Sequence, residues 1–319
     1  MLYDLAAAFL LDLALGDPRW LPHPVRMLGW LIARLEGLIR RAFHGEWGLR
    51  LGGVLLAVSV VSAGYLSAWL LLQGAARLGE AAYHAVDIVL LYTLLCTRSL
   101  DLEARQVHTA LVRQDIAGAR HWLSRIVGRD TQDLTPPEVA RGAVETVAEN
   151  LVDGIISPLL FILIGGAPLG MAFKAVSTLD SMVGYRNERY RHLGWASARL
   201  DDIANWIPAR LAGWVIIPLA AWLTGLSLRG SWRVVLRDSK NHSSPNSGWS
   251  EAAFAGALGI QVGGTNYYFG KPVFKPTIGD GAAVIAPEHI IGAIRIMYVS
   301  SVLALLIGSG LWLIIRGVF

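Results

Sequence analysis

One cysteine in 319 residues rules out an internal disulfide framework and any zinc site built on cysteine pairs. That residue, Cys96, lies in an apolar run with no nucleophile motif around it. Charge is scarce as well: 16% of the residues are charged against 54% apolar, and the formal net charge is +4. The basic residues are interspersed with acids rather than gathered in a tract, so nothing points to nucleic acid as a partner. No spacing matches a P-loop and no G-x-S-x-G occurs, which removes the common nucleotide-loop and serine-hydrolase signatures. Internal repeats and low-complexity tracts are absent too.

What is present is apolar length. A mean hydropathy of +0.47 and twelve tryptophans fit a multi-span membrane protein, because Trp collects at membrane–water interfaces. Residues 1–16 carry Asp4 and Asp12 and no basic leader, which makes them a short first membrane helix rather than a cleavable signal. Apolar stretches at 51–72, 81–97, 154–173, 207–226 and 296–315 predict further helices, each near the ~20 residues a span needs. Several are interrupted: His84 and Asp87 open the second, Pro158, Gly165, Gly166 and Pro168 break the third, and Pro208 and Pro218 the fourth. Broken backbone at membrane depth survives only where protein or a wet cavity covers it.

The polar segments 17–50, 98–150, 174–202 and 227–289 are all rich in basic residues, the mark of cytoplasmic loops. If every apolar stretch crossed once, 174–202 would face the side opposite 98–150 and 227–289. The conflict predicts re-entrant or half-crossing segments. The expected fold is an all-α polytopic helical bundle, a single integral-membrane domain over 1–319 in the cell (inner) membrane, with its site facing the cytoplasm.

Charge beside an apolar segment is costly and tends to mark a ligand site. In RLDDIANWIPAR, 199–210, Asp201 and Asn205 share a helical face, Asp202 points a quarter-turn away, and Arg199 and Arg210 stand at the ends. Paired acids of this kind bridge magnesium to a polyphosphate whose oxygens arginines neutralise. The plainer reading is a helix start, where acids favour the dipole. In RGAVETVAENLVDG, 141–154, Arg141, Glu145, Glu149 and Asp153 recur at i, i+4 and form one stripe on a helix. Their hard oxygens suit magnesium held with substrate phosphates; the alternative is a solvated face with Arg141 paired to Glu145.

Three further stretches carry weaker signals. STLDSMVGYRNERY, 177–190, offers Asp180 among hydroxyls before a basic run containing Arg186, or an ordinary loop with hydroxyl turns. HSSPNSGWSEAAFAGALGIQVGG, 242–264, offers His242, Ser243 and Asn246 with small residues whose N–H groups can meet a phosphate, or only close helix packing. LDLALGDPRWLPHPVRMLGW, 11–30, brings Asp12 and Asp17 beside a Pro-stiffened exit, with His23 and Arg26 as anion contacts.

Five motifs in one order resemble the adenosylcobinamide-phosphate synthase family of cobalamin biosynthesis. They are GDPRWLPHPVRMLG, GRDTQDLTPPEVARGAVETVAENLVDGIISPL, TLDSMVGYRNERY, ARLDDIANWIPARL and SPNSGWSEAAFAGALG, and they run through nearly the whole chain. The chain departs from the family pattern at Ser177, where Asn is usual, and at Ser250, where Pro is usual. The resemblance implies a membrane ligase that joins adenosylcobyric acid to aminopropanol or its O-phosphate through an amide bond. ATP and magnesium are implied with it, since a carboxylate does not condense with an amine in water unless activated. A complex with other corrinoid enzymes is left open.

On that reading Asp201, Asp202 and Asn205 bind magnesium–nucleotide, while Glu145, Glu149 and Asp153 form a second metal or amine-orienting set. Arg199, Arg210 and Arg186 contact phosphate, and Asp180 accepts a proton from the attacking ammonium, with His23 and His242 as alternates. Two rivals stand beside it. A membrane prenyl- or phosphotransferase holding a magnesium–diphosphate would want two separated Asp-rich motifs, and this chain has one Asp pair. A non-catalytic membrane regulator or transporter would use its charges as an ion path.

Overall fold

The computed structural model describes residues 1–18, 23–185, 187–268 and 270–317. The first helices are α1 (Leu2–Leu15), α2 (Pro24–Ala42), α3 (Gly45–Leu78), α4 (Glu80–Tyr92) and α5 (Thr97–Val112). There follow α6 (Ile116–Ser124), α7 (Pro136–Leu151), α8 (Ser157–Val183), α9 (Trp195–Ala204) and α10 (Trp206–Leu211). The last are α11 (Ile217–Leu223), α12 (Leu228–Asp238), α13 (Ser247–Leu258) and α14 (Pro287–Ile315). Single π-helical turns, Val152–Ile156 and Ala212–Ile216, follow α7 and α10. The one sheet among the described residues is an antiparallel hairpin, β1 (Gln261–Tyr268) with β2 (Lys271–Gly279). The bundle is therefore all-α in character, with a small sheet that the helical pattern did not foretell.

Four segments are long and apolar enough to cross a membrane: Gly45–Leu78, Pro136–Val183, Trp206–Leu223 and Pro287–Ile315. The expected span at 81–97 is corrected. Its helix α4 is 13 residues long and ends at Tyr92, about 20 Å at 1.5 Å per residue, against a hydrocarbon layer of ~30 Å. The 14-residue α1 is short in the same way. The break expected in the third apolar stretch is present: Gly165 and Gly166 leave helical geometry inside α8, Gly166 with φ of 67°.

The chain packs as two compact units. One comprises Met1–Cys96, Ser157–Asn205 and Gly308–Phe319; the other comprises Thr97–Ile156 and Trp206–Ile307. In the first unit α1 packs on α4, and α3 packs on α2, α4, α8 and α9. Gly53 lets α3 come close to the chain at Leu193, whose carbonyl oxygen would lie 2.1 Å from any added Cβ.

In the second unit α12 and α13 pair, and α13 also packs on α7 and on the hairpin. Local signals start these helices. Thr135 and Glu138 make a reciprocal capping box ahead of Pro136 in α7, satisfying orphan N–H groups. Ser227 accepts from Gly230 N at 2.9 Å to open α12, and Gly259, in the left-handed region, closes α13. The α12–α13 approach is extreme: a Cβ on Gly230 would lie 2.3 Å from the carbonyl oxygen of Gly256, and one on Gly256 2.2 Å from that of Gly230. The hairpin carries an irregularity between Val262 and Gly264, where Gly263 and Gly264 have φ of 86° and 87°. Only glycine takes such angles without strain.

Candidate active site

The second unit gathers charge where apolar packing would be cheaper. Glu145, buried on α7, accepts a bond from the guanidinium of Arg129 and another from Gly263 N at 2.8 Å. Arg141, one turn earlier, stands 3.7 Å from the other side of the same carboxylate. Arg129 also reaches the side-chain oxygen of Asn266 on β1, and that amide is fully buried. A loop, a helix and a hairpin thus meet on one carboxylate. Burial works against the charge on Arg129, and Glu145 beside it outweighs burial, so its pKa lies above the ordinary arginine value.

A turn further along α7, Glu149 is exposed and accepts from Ser247 Oγ at 3.2 Å. The stripe expected from the spacing thus holds for Arg141, Glu145 and Glu149. Asp153 falls in the π-turn, whose wider winding carries following side chains off the α-helical stripe. That is the physical reason the four-residue pattern is interrupted there.

Opposite stands Glu251 on α13, 4% exposed. Burial pushes its carboxyl well above the usual carboxylate range, and the charges of Glu145 and Glu149 add to the push. Its Oε1 is 3.6 Å from His242 Nε2. Burial holds the His242 imidazole below its ordinary pKa, with the Lys275 ammonium acting the same way. Lys275 itself, on β2, is raised: burial opposes its charge, and the nearby acids, Glu251 first, outweigh burial. Among these acids Glu251 is the one whose hold on its proton is strengthened, by burial first and by the neighbouring carboxylates second.

The tautomer of His242 follows from geometry. Ser244 N donates to Nδ1 at 3.0 Å, so the neutral ring carries its proton on Nε2. Nε2 is buried without a hydrogen bond and points at the Glu251 carboxyl. The neutral His242 ring thus presents an N–H donor at Nε2. In His23 likewise Val25 N donates to Nδ1 at 3.3 Å, leaving Nε2–H 3.3 Å from Asp17 Oδ1.

Arg210 and Asn246 also meet in this unit. Arg210 Nη1 donates to Asn246 Oδ1 at 3.3 Å and to the Trp206 carbonyl at 2.7 Å. Its guanidinium lies over the Trp206 and Trp249 rings, 4.2 and 5.1 Å from their centroids, which fixes the orientation of the planar cation. Ser243 is exposed in the loop between α12 and α13. Beside Arg129 a cavity of about 860 Å³ opens, lined by Asp130, Gln132, Glu138 and Tyr267 among others.

The first unit holds the remaining expected residues. Asn205 is buried, its oxygen accepting from Ser157 Oγ at 2.6 Å and its nitrogen donating to Asp201 Oδ2 at 3.1 Å. Both ends of the amide are engaged, so Asn205 orients Asp201 rather than offering an oxygen to a ligand. Asp202 lies 3.5 Å from Arg199, and both line a cavity of about 200 Å³ with Arg191 and Tyr190. Asp180 lies in the last turn of α8 with its carboxylate against Gly184. Arg186 lies outside the described residues. Among the described residues no three His, Cys, Asp or Glu side chains converge as a metal-holding group.

Sequence reasoning missed Glu251, Lys275, Arg129 and Asn266. The first had a signal: it is the one acid in the small-residue helix SGWSEAAFAGAL. Lys275 had a fainter one, as one of four lysines in the chain. The partnership of Arg129 and Asn266 crosses 137 residues and has no local signature.

The architecture and site define a polytopic helical membrane protein with a buried mixed-charge centre. Residues 5–297 match the CobD/Cbib protein family, and the chain belongs to that family. It is 57% identical over 302 residues to the cobalamin biosynthesis protein CobD of Geobacter metallireducens, covering 95% of this chain and 94% of that one. It is 50% identical over 298 residues to the cobalamin biosynthesis protein CbiB of Salmonella typhimurium, with 93% of each chain covered. The CobD of Photorhabdus laumondii is 47% identical over 311 residues, 98% of this chain and 97% of the relative. No solved structure matches.

Proposed function

We propose that this protein acts in cobalamin biosynthesis as an acid–amine ligase, joining adenosylcobyric acid to aminopropanol or its O-phosphate with ATP as the driver. Family membership supports the pathway. The observation that supports the chemistry is the Glu251–His242 pair beside Glu145, Glu149 and Lys275, where burial raises the proton affinity of Glu251 and lowers that of His242. Such divergence marks acid–base centres.

The roles follow from what each group can do. An amine arrives as an ammonium and must lose a proton before it attacks. Glu149, exposed and held by Ser247, binds that ammonium and takes the proton. His242 Nε2–H and the protonated Glu251 are donors, suited to the oxygen on which negative charge grows as the acyl carbon turns tetrahedral. Lys275 and Arg210 face anionic oxygens. The corrinoid carboxylate would first attack the γ-phosphorus of ATP, releasing ADP and forming an acyl phosphate. The amine then adds to the acyl carbon, and phosphate leaves with the electron pair of its C–O bond as the amide forms. Asp201 and Asp202, with Arg199, are the residues for magnesium and nucleotide phosphate. Magnesium there would neutralise phosphate charge during transfer, a matter of positioning and electrostatics.

The test uses purified protein in detergent with magnesium, ATP, adenosylcobyric acid and either amine, following ADP release and product mass. Corrinoid- and amine-dependent turnover to an amide supports the reading. Glu149→Gln is expected to lower kcat by about 10²–10⁴, the usual worth of a general base, and Asp201→Asn to weaken nucleotide binding measured directly. Corrinoid binding without turnover under any omission overturns it in favour of a carrier.

A further inference from the structure

We infer that the first unit contains a separate site for a phosphate group, centred on Lys174. It does not rest on the reaction proposed above and uses none of the residues given roles there. Lys174 lies on α8, inside one of the segments apolar enough to cross a membrane, and is the only basic residue between Arg141 and Arg186. An ammonium in such a place is expensive and is retained where it meets a partner. Among the described residues its ammonium makes no hydrogen bond and no ion pair.

It faces a cavity of about 380 Å³ that Asp17, His23, Arg26, Thr93 and Cys96 also line. Two cationic side chains line it from two elements, Lys174 on α8 and Arg26 on α2, while His23 keeps its buried Nε2–H 3.3 Å from Asp17 Oδ1. The first turn of α2, which begins at Pro24, adds the positive end of a helix dipole. Among the described residues Asp17 is the only acid on the lining. The cavity is at the small end of ligand pockets, and two cations beside a helix N-terminus suit a phosphate group, which both charge and N–H donors favour. The ligand is accordingly a phosphate or phosphate monoester, free in solution or at the head of a lipid.

Lysine reactivity in the intact protein tests this directly, with the exposed Lys240 and Lys271 as internal standards. Protein in a phosphate-free maltoside detergent would be reductively methylated with and without inorganic phosphate, and each lysine followed by mass spectrometry. Phosphate is expected to slow methylation of Lys174 severalfold and leave Lys240 and Lys271, both exposed, unchanged. Parallel samples in nanodiscs of phosphatidylcholine with or without phosphatidic acid separate the two sources. Protection by phosphatidic acid alone assigns a lipid headgroup, and protection by inorganic phosphate assigns a soluble ligand. Equal methylation under all conditions overturns the site, as does a Lys174 that never reacts, because an amine lining an open cavity must be reachable. Phosphate should also raise the Tm of the wild type and of Lys174→Arg but not of Lys174→Gln; an unchanged rise in Lys174→Gln counts against the site.

Discussion

The backbone N–H of Gly263 donates to Glu145 Oε1 at 2.8 Å across 118 residues of chain, so a bulge in the hairpin and a buried acid on α7 hold each other. The bond depends on a backbone angle that glycine alone takes easily, and on space: a Cβ at Gly263 would meet the Pro276 carbonyl at 2.4 Å.

Gly263→Ala is therefore expected to destabilise by about 1–3 kcal/mol from backbone strain, with more from the clash. Hydrogen exchange should show the loss concentrated in β1 and β2, and thermal unfolding in detergent should show a lower Tm. A variant as stable as the wild type, with protected hairpin amides, would contradict the role of the bulge.

The Arg129–Glu145 pair has side chains 7% and 8% exposed. Removing one member of such a pair leaves a buried charge alone, at a cost of ~3–5 kcal/mol. Arg129→Met should show this in denaturant unfolding, and Glu145→Gln in the same chain should recover part of it. A double variant no better than the single one would mean that Arg129 acts through Asn266 instead.

Glu251 and His242 predict opposite pH effects on stability. With its folded pKa raised above the ordinary glutamate value of 4.5, Glu251 holds more protons folded than unfolded. Its contribution is complete below that value and is lost as pH rises through the window above it. His242, lowered from 6.5, holds fewer protons folded, so its contribution is present above 6.5 and lost as pH falls below. In Glu251→Gln the decline of Tm above pH 4.5 should flatten, and a profile superimposable on the wild type would reject a protonated Glu251.

As a donor through Nε2, His242 should tolerate replacement by another donor. His242→Gln is expected to keep more turnover than His242→Ala, and the ascending limb of kcat against pH should survive in it. If both variants lose activity equally and that limb disappears, His242 is the base and the tautomer argument fails.

Much of this was legible in the residues alone. Apolar length announced the spans, and Gly165, Gly166 and Pro168 announced the break in α8, because backbone chemistry is local. The stripe of Glu145 and Glu149 could be read for the same reason. Asp153 could not, since a π-turn depends on packing and not on spacing. The 81–97 helix was overread because the apolar run continues past Tyr92 into a turn that hydropathy does not register. Glu251 and Lys275 escaped because a buried acid becomes informative only when its neighbours are known. The hairpin was hidden by its glycines and prolines, which read as loop in any single stretch.

Gly230 and Gly256 touch none of the groups given a chemical role, yet each lacks a Cβ where the other's carbonyl sits. Neither change can compensate the other, because relief requires both helices to move apart. The loop carrying His242 hangs from the end of α12 and Glu251 rides on α13, so that separation is the gauge for the His242–Glu251 distance. In a saturation library selected for activity alone, these two positions should stand out as nearly invariant glycines, and a screen blind to structure would mistake them for contacts with substrate.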